Sequence, residues 1–180
     1  MPRILPVGSQ EDIPLGMLGG PVGLLLEYHN LGRPFDQHEA AQLLIGMCMD
    51  SRNHLRIPGN FAFILRTGGA NLQPTDFYVS YAIAMRGVQS IALIAHTQCG
   101  MVSLEQVRPR FIERLVNRAG WDRASAEDHF DRFAAVLEIG DEVEFSLAES
   151  ERLSRVYPSV QVVPLLYKVE DHRLYLIQDD

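Results

Sequence analysis

Three short apolar runs without alternation limit what this chain can fold into. LLIGMCM at Leu43–Met49, FAFIL at Phe61–Leu65 and SIALIA at Ser90–Ala95 are each of strand length. A strand that is apolar at nearly every position is one buried on both faces. Between the second and third runs, Asp76–Arg86 places Phe77, Tyr81, Ala84 and Met85 at helical spacing, with Gly87 as a stop. A fourth run, Val160–Val163, is continued past Pro164 by Leu165–Lys168. Arg173–Ile177 follows it across Glu170, Asp171 and His172, near enough for a hairpin and therefore for an antiparallel edge. The stretch between the third and fourth runs predicts helices: residues 101–118, broken or restarted at Pro109; a helix capped by Ser125, with Phe130, Phe133, Ala134 and Leu137 on its stripe and Gly140 at its end; and Asp141–Tyr157, stopped by Pro158. Strands alternating with helices define an α/β fold, a mostly parallel sheet flanked by helices and joined by right-handed crossovers.

The N-terminal stretch has a different composition. Pro2, Pro6 and Pro14 with Gly8, Gly16, Gly19 and Gly20 suit an extended arm, one that could lie on a partner subunit. Pro21 at a first helical turn and Gly32 as a stop predict a short helix over Val22–Leu31. The expected organisation is an arm and short helix over 1–35 and a single α/β domain over 36–180. With 16 Lys and Arg against 23 Asp and Glu, a net of -7, the chain carries no electrostatic footprint for nucleic acid or an anionic membrane surface. No apolar run approaches the roughly 20 residues that span a bilayer, and Glu11, Asp12 and Pro14 stand where a signal peptide needs apolar residues. A cytoplasmic protein is the expectation.

The chain has only Cys48 and Cys99, too few for a disulfide scaffold. Taken singly, either could be an inert buried thiol. Their positions argue otherwise. Ligands of parallel sheets bind beyond the carboxyl ends of the strands, where strand order reverses. Cys48 lies at the end of the first run, and His96 and Cys99 at and just past the end of the third. Two thiolates and one imidazole are a zinc set that leaves a fourth position open. Asp50, two residues beyond Cys48, falls on the same side of an extended chain, and Arg52 can hold its carboxylate by a bidentate pair. Gly100 follows Cys99 where a helix could begin and favour a thiolate. His29 and His38 read as solvated helix ends, and the series Arg108, Arg110, Arg114, Arg118 as a solvated helix face.

These residues carry a family resemblance. CMDSR at 48–52 resembles the Cys-x-Asp-x-Arg motif of the β-class carbonic anhydrases, and HTQC at 96–99 resembles their His-x-x-Cys motif. The likeness runs from about residue 40 to residue 177, including RTGGAN at 66–71 and the ending PSVQVVPLLYKVEDHRLYLI. It implies a sheet of order 2-1-3-4 plus an antiparallel edge strand. It further implies a homodimer or higher homo-oligomer built partly from N-terminal arms, and reversible hydration of carbon dioxide to bicarbonate by zinc-bound hydroxide. On that likeness Cys48, His96 and Cys99 hold Zn2+, Asp50 and Arg52 form the catalytic dyad, and Gly68, Gly69, Asn71 and Gly100 fall near a substrate pocket. The departures concern the pocket. The segment Asn53–Asn60 is short, Thr67–Asn71 replaces a tighter Asn-Ala-Gly-Asn pattern, and Ala95 stands where a glycine is common before the histidine. A hydrolase of a related heteroallene (carbonyl sulfide or carbon disulfide) and a non-catalytic zinc-containing binding or regulatory protein therefore stay open beside the hydratase.

Overall fold

A computed structural model describes residues 2–179 of the chain. The apolar runs become β2 (Leu43–Cys48), β3 (Ala62–Thr67) and β4 (Ser90–His96), and the last two become β5 (Gln161–Lys168) and β6 (Arg173–Gln178). A further strand, β1, covers Arg3–Pro6. The helices are α1 (Pro21–Asn30), α2 (Asp76–Arg86), α3 (Leu104–Ala119), α4 (Arg123–Leu137) and α5 (Glu142–Val156). All strands join one sheet in the order β1-β6-β5-β4-β2-β3. β2 runs parallel to β3 and β4, β4 runs parallel to β5, and β6 is antiparallel to β5. The expected order 2-1-3-4 with an antiparallel fifth strand is therefore present, numbered here from β2.

Both sheet faces are covered, which is why β2 and β4 are buried at every position. On one face Val22, Leu25, Leu26 and Tyr28 of α1 pack on Leu43, Ile45, Ala92 and Ile94. On the other, Val79 and Ala82 of α2 and Leu153 of α5 pack on Leu44, Ile91 and Leu93. Gly46, in the middle of β2, is required by a close approach: a Cβ there would meet Leu72 Cδ1 at 2.7 Å.

Three expectations change. The N-terminal stretch is not simply an extended arm: β1 pairs antiparallel with the chain's own β6, Arg3 opposite Gln178 and Pro6 opposite Tyr175, while Val7 and Ile13 are buried. A proline-bearing strand is tolerated there because β1 is an edge, and it covers the open side of the β5–β6 hairpin. Pro109 does not break its helix. α3 runs through it, forgoing only the bond that residue 109 would have donated. Asp122, rather than Ser125, caps α4, its side chain accepting the Ser125 N–H at 3.0 Å. As expected, the strand continues past Pro164; pairing of β5 with β6 starts only at Leu165, so that proline has β4 as its one neighbour.

Candidate metal centre

Cys48 ends β2 and His96 ends β4, adjacent parallel strands with Met47 opposite Ile94. The chain leaves β2 toward β3 on one side and reaches β4 on the other, so this is the reversal point of the sheet. Cys99 returns to it through the turn after β4. One donor atom from each of Cys48, His96 and Cys99 lies within 4.8 Å of the others, and all three residues are buried. The two sulfurs stand 4.0 Å apart. Ile139 is buried against the cysteines, with Met101, Val102 and Phe145 packed around them as an apolar wall.

The imidazole supplies the test of whether a metal suits these residues. His96 Nδ1 bonds the Thr97 carbonyl at 2.9 Å, so that nitrogen carries the proton. Nε2 is then a lone-pair acceptor, and it is buried without a hydrogen-bond partner. A metal-ligating histidine has this arrangement, one nitrogen donating to a backbone carbonyl and the other free for the ion. A buried acceptor left unpaired is otherwise costly. The donor set and the orphaned nitrogen both fit zinc.

The electrostatics show the same preparation. The Cys99 thiol, within hydrogen-bonding reach, pulls the Cys48 thiol well down against the burial that opposes it, with help from His96. Cys99 is pushed up, first by that same contact and then by burial. The two shifts run in opposite directions because the thiols face one another. Burial pulls His96 down, but its contact with the Cys48 thiolate more than offsets this, and the net direction is up. A divalent cation would replace these shared protons.

Asp50 and Arg52 stand beside this group. Asp50 Oδ1 accepts the Arg52 backbone N–H at 2.9 Å and Nε–H at 3.0 Å, and Oδ2 accepts Nη2–H at 2.8 Å. Those side-chain bonds hold the carboxyl down at about 2, although burial opposes them. Arg66 anchors the loop from β3, donating to the carbonyls of Cys48 at 3.0 Å and Asn53 at 2.9 Å.

The remaining candidates are placed differently. Gly68 and Gly69 form a turn after β3. Gly69 has a φ of +62°, and a Cβ there would meet Ile139 Cγ2 at 2.7 Å; a Cβ on Gly68 would meet Met101 Sδ at 3.1 Å. These glycines let the apolar wall approach the cysteines. Asn71 is buried and committed to backbone, its amide donating to the Val136 carbonyl at 3.1 Å and its oxygen accepting the Gln73 N–H at 3.1 Å. Gly100 is exposed in a turn, and α3 starts only at Leu104, so no helix N-terminus faces the Cys99 thiol. The Cys99 N–H instead donates to Glu142 Oε1 at 3.1 Å. Sequence reasoning missed Glu142, Gln98 and Glu170. Gln98 lies inside the HTQC string as an unremarked spacer, and neither glutamate has a local signal.

The fold is that of the β-carbonic anhydrases, built here around a candidate Cys-His-Cys metal centre. The β-carbonic anhydrase isoform I of Trichomonas vaginalis superposes with a TM-score of 0.62 at 16% identity, over 80% of this chain and 87% of that one. The carbonic anhydrase from Glaciozyma antarctica gives 0.61 at 19% identity, over 76% and 83%. A metal-free carbon disulfide hydrolase gives 0.55 at 24% identity, over 74% and 77%. No protein-family model matches the sequence, and no curated protein does.

Proposed function

We propose that this protein hydrates carbon dioxide reversibly to bicarbonate, with zinc held by Cys48, His96 and Cys99. The observation that carries this reading is the buried donor group with its orphaned His96 Nε2, set beside a carboxylate held by arginine. Cys48, His96 and Cys99 would hold the ion through two thiolates and a neutral imidazole, a donor set that would leave room for one further ligand. Zinc supplies Lewis acidity there, which makes water a competent nucleophile near neutral pH.

The protein's part is orientation. Oδ1 of Asp50 already accepts two hydrogen bonds and Oδ2 only one, so Oδ2 keeps a free lone pair. That oxygen accepts from the reacting water and directs its remaining lone pairs at the substrate carbon. With its carboxyl held at about 2, Asp50 stays an acceptor and does not store the released proton, which leaves through buffer. Ile139, Met101, Val102 and Phe145 form an apolar wall suited to a small non-polar molecule.

The assay is stopped-flow hydration of carbon dioxide at about pH 8.5, above the neutral titration of zinc-activated water in a three-histidine site because two thiolates dampen the metal's charge. The protein must first be shown to hold one zinc per chain. Cys48→Ala abolishes both zinc and turnover. Asp50→Asn keeps zinc and lowers kcat/KM by about 10²-fold. A zinc-loaded protein without turnover removes carbon dioxide as the substrate. The fold itself is shared with a carbon disulfide hydrolase, so carbonyl sulfide and carbon disulfide are then assayed on the same sample.

A homodimer is part of this reading. β3 is an open sheet edge with Ile64 exposed, and Phe77, Tyr78 and Met85 of the adjoining α2 are more than half exposed. Light scattering on the purified chain checks it.

A further inference from the structure

Arg52 is more firmly held than a pair with Asp50 requires. Four of its five guanidinium N–H groups are used: two on Asp50, and two on the single residue Gln98. Nη1 donates to Gln98 Oε1 at 3.0 Å and Nη2 to the Gln98 carbonyl at 3.1 Å. Gln98 in turn donates Nε2–H to Glu170 Oε1 at 2.8 Å, and the other Glu170 oxygen accepts from Thr97 Oγ1 at 2.8 Å. The Thr97 hydroxyl accepts the Val169 N–H at 3.0 Å, which closes the link between the turn after β4 and the β5–β6 hairpin.

Two features show what this chain of bonds selects. An amide has an oxygen end and a nitrogen end of nearly equal shape, and here one faces a donor-only cation and the other an acceptor-only anion. Only one orientation satisfies both. Gln98 also has a φ of +60°, a left-handed conformation that L side chains rarely adopt and for which glycine is the ready choice. A glutamine held there by its side-chain partners indicates that the side chain is needed. Arg52 and Asp50 are 42% and 21% exposed, and an ion pair that open to water is weakly held on its own.

We infer that Gln98 and Glu170 are positioning residues: Glu170 sets the Gln98 amide, Gln98 sets Arg52, and Arg52 fixes the Asp50 carboxylate with the free lone pair of Oδ2 available to the reacting water. This rests on the hydratase reading for its catalytic consequence, but not for its geometry.

Gln98→Gly is the decisive variant because glycine accepts the backbone conformation without strain. A purely structural role predicts unchanged or raised Tm with full activity. Positioning predicts unchanged or raised Tm, solvent exchange of Arg52 Nε–H about tenfold faster by nitrogen-15 NMR, and kcat about tenfold lower with KM little changed. Glu170→Ala moves both readouts the same way, and Glu170→Gln, which still offers an oxygen to Gln98, restores part of the loss. In an Asp50→Asn background neither substitution lowers kcat further, since the residue they act through is already disabled. Wild-type exchange at Arg52 in Gln98→Gly and Glu170→Ala overturns the inference, as do losses that add to that of Asp50→Asn. If the zinc-loaded wild type turns over no substrate, the functional reading fails, and Arg52 exchange still decides whether the clamp exists.

Discussion

The His29 imidazole is held between two backbone groups, its Nε2 2.9 Å from the His172 carbonyl and its Nδ1 accepting the Arg56 N–H at 3.0 Å. It is therefore neutral, with the proton on Nε2, and it ties α1 to the loop after CMDSR and to the β5–β6 hairpin. Far from being a solvated helix end, it is a cross-link between three segments. Burial pulls its pKa below 6.5, and the nearby Arg173, Arg56 and His172 pull the same way against the bond to the His172 carbonyl. The Tyr167 ring packs beside it, 5.9 Å away. A depressed histidine means that the unfolded chain binds the extra proton first. The stabilisation is complete above 6.5 and is lost as pH falls from there through the folded value. In urea denaturation at about pH 7.5 and about pH 5, His29→Gln reduces the acid-side loss of stability relative to wild type. An unchanged acid dependence removes His29 as its cause.

Among the elements, α5 connects helix capping to the metal site. Asp141 accepts the N–H groups of Val143 and Glu144, both at 2.9 Å, and so starts the helix. The next residue, Glu142, takes the Cys99 N–H, while Leu153 further along packs under the sheet. Asp141→Ala removes the cap and lowers stability by about 1 kcal/mol, read as a shift in the urea midpoint, while Asp141→Asn keeps most of it. The α3–α4 hairpin has its own small core of Ile112, Ala126, Phe130 and Ala134, with Arg108 of α3 and Asp131 of α4 paired across it at 2.7 Å. Its Pro109 shows how far tertiary packing overrides a local breaker: one absent N–H does not outweigh the apolar contacts on either side. The proline and capping signals hold at Pro21, Gly87 and Pro158 and mislead at Pro109 and Ser125. Packing overrides Pro109, whereas the start of α4 offers two nearby capping residues, of which Asp122 and not Ser125 is the cap.

At the scale of the whole molecule, the donor group joins β2, β4 and the turn after β4, so binding of the proposed zinc would act on the folded state. Removing zinc with a chelator lowers Tm, and adding zinc restores it in proportion to occupancy, with about 4 kcal/mol gained at a thousandfold excess over Kd. Cys48→Ala has no such response. An equal response in that variant places the metal elsewhere. No helix among the described residues is long and apolar enough to cross a membrane. The architecture is readable in the sequence, because strands buried on both faces are apolar at nearly every position, and that constraint is written directly into LLIGMCM and SIALIA. The candidate ligands were readable for a related reason: two of them share one tight turn, and the third ends a recognisable strand. Tertiary structure alone decided the rest. β1 has no pattern of its own and is a strand only because β6 offers it unpaired backbone groups. Glu170 meets Gln98 across 72 positions of sequence, and Glu142 meets Cys99 across 43. A charged group on a turn carries no mark of its partner, and the partner is chosen only when the hairpin and the helix come to rest against the end of the sheet.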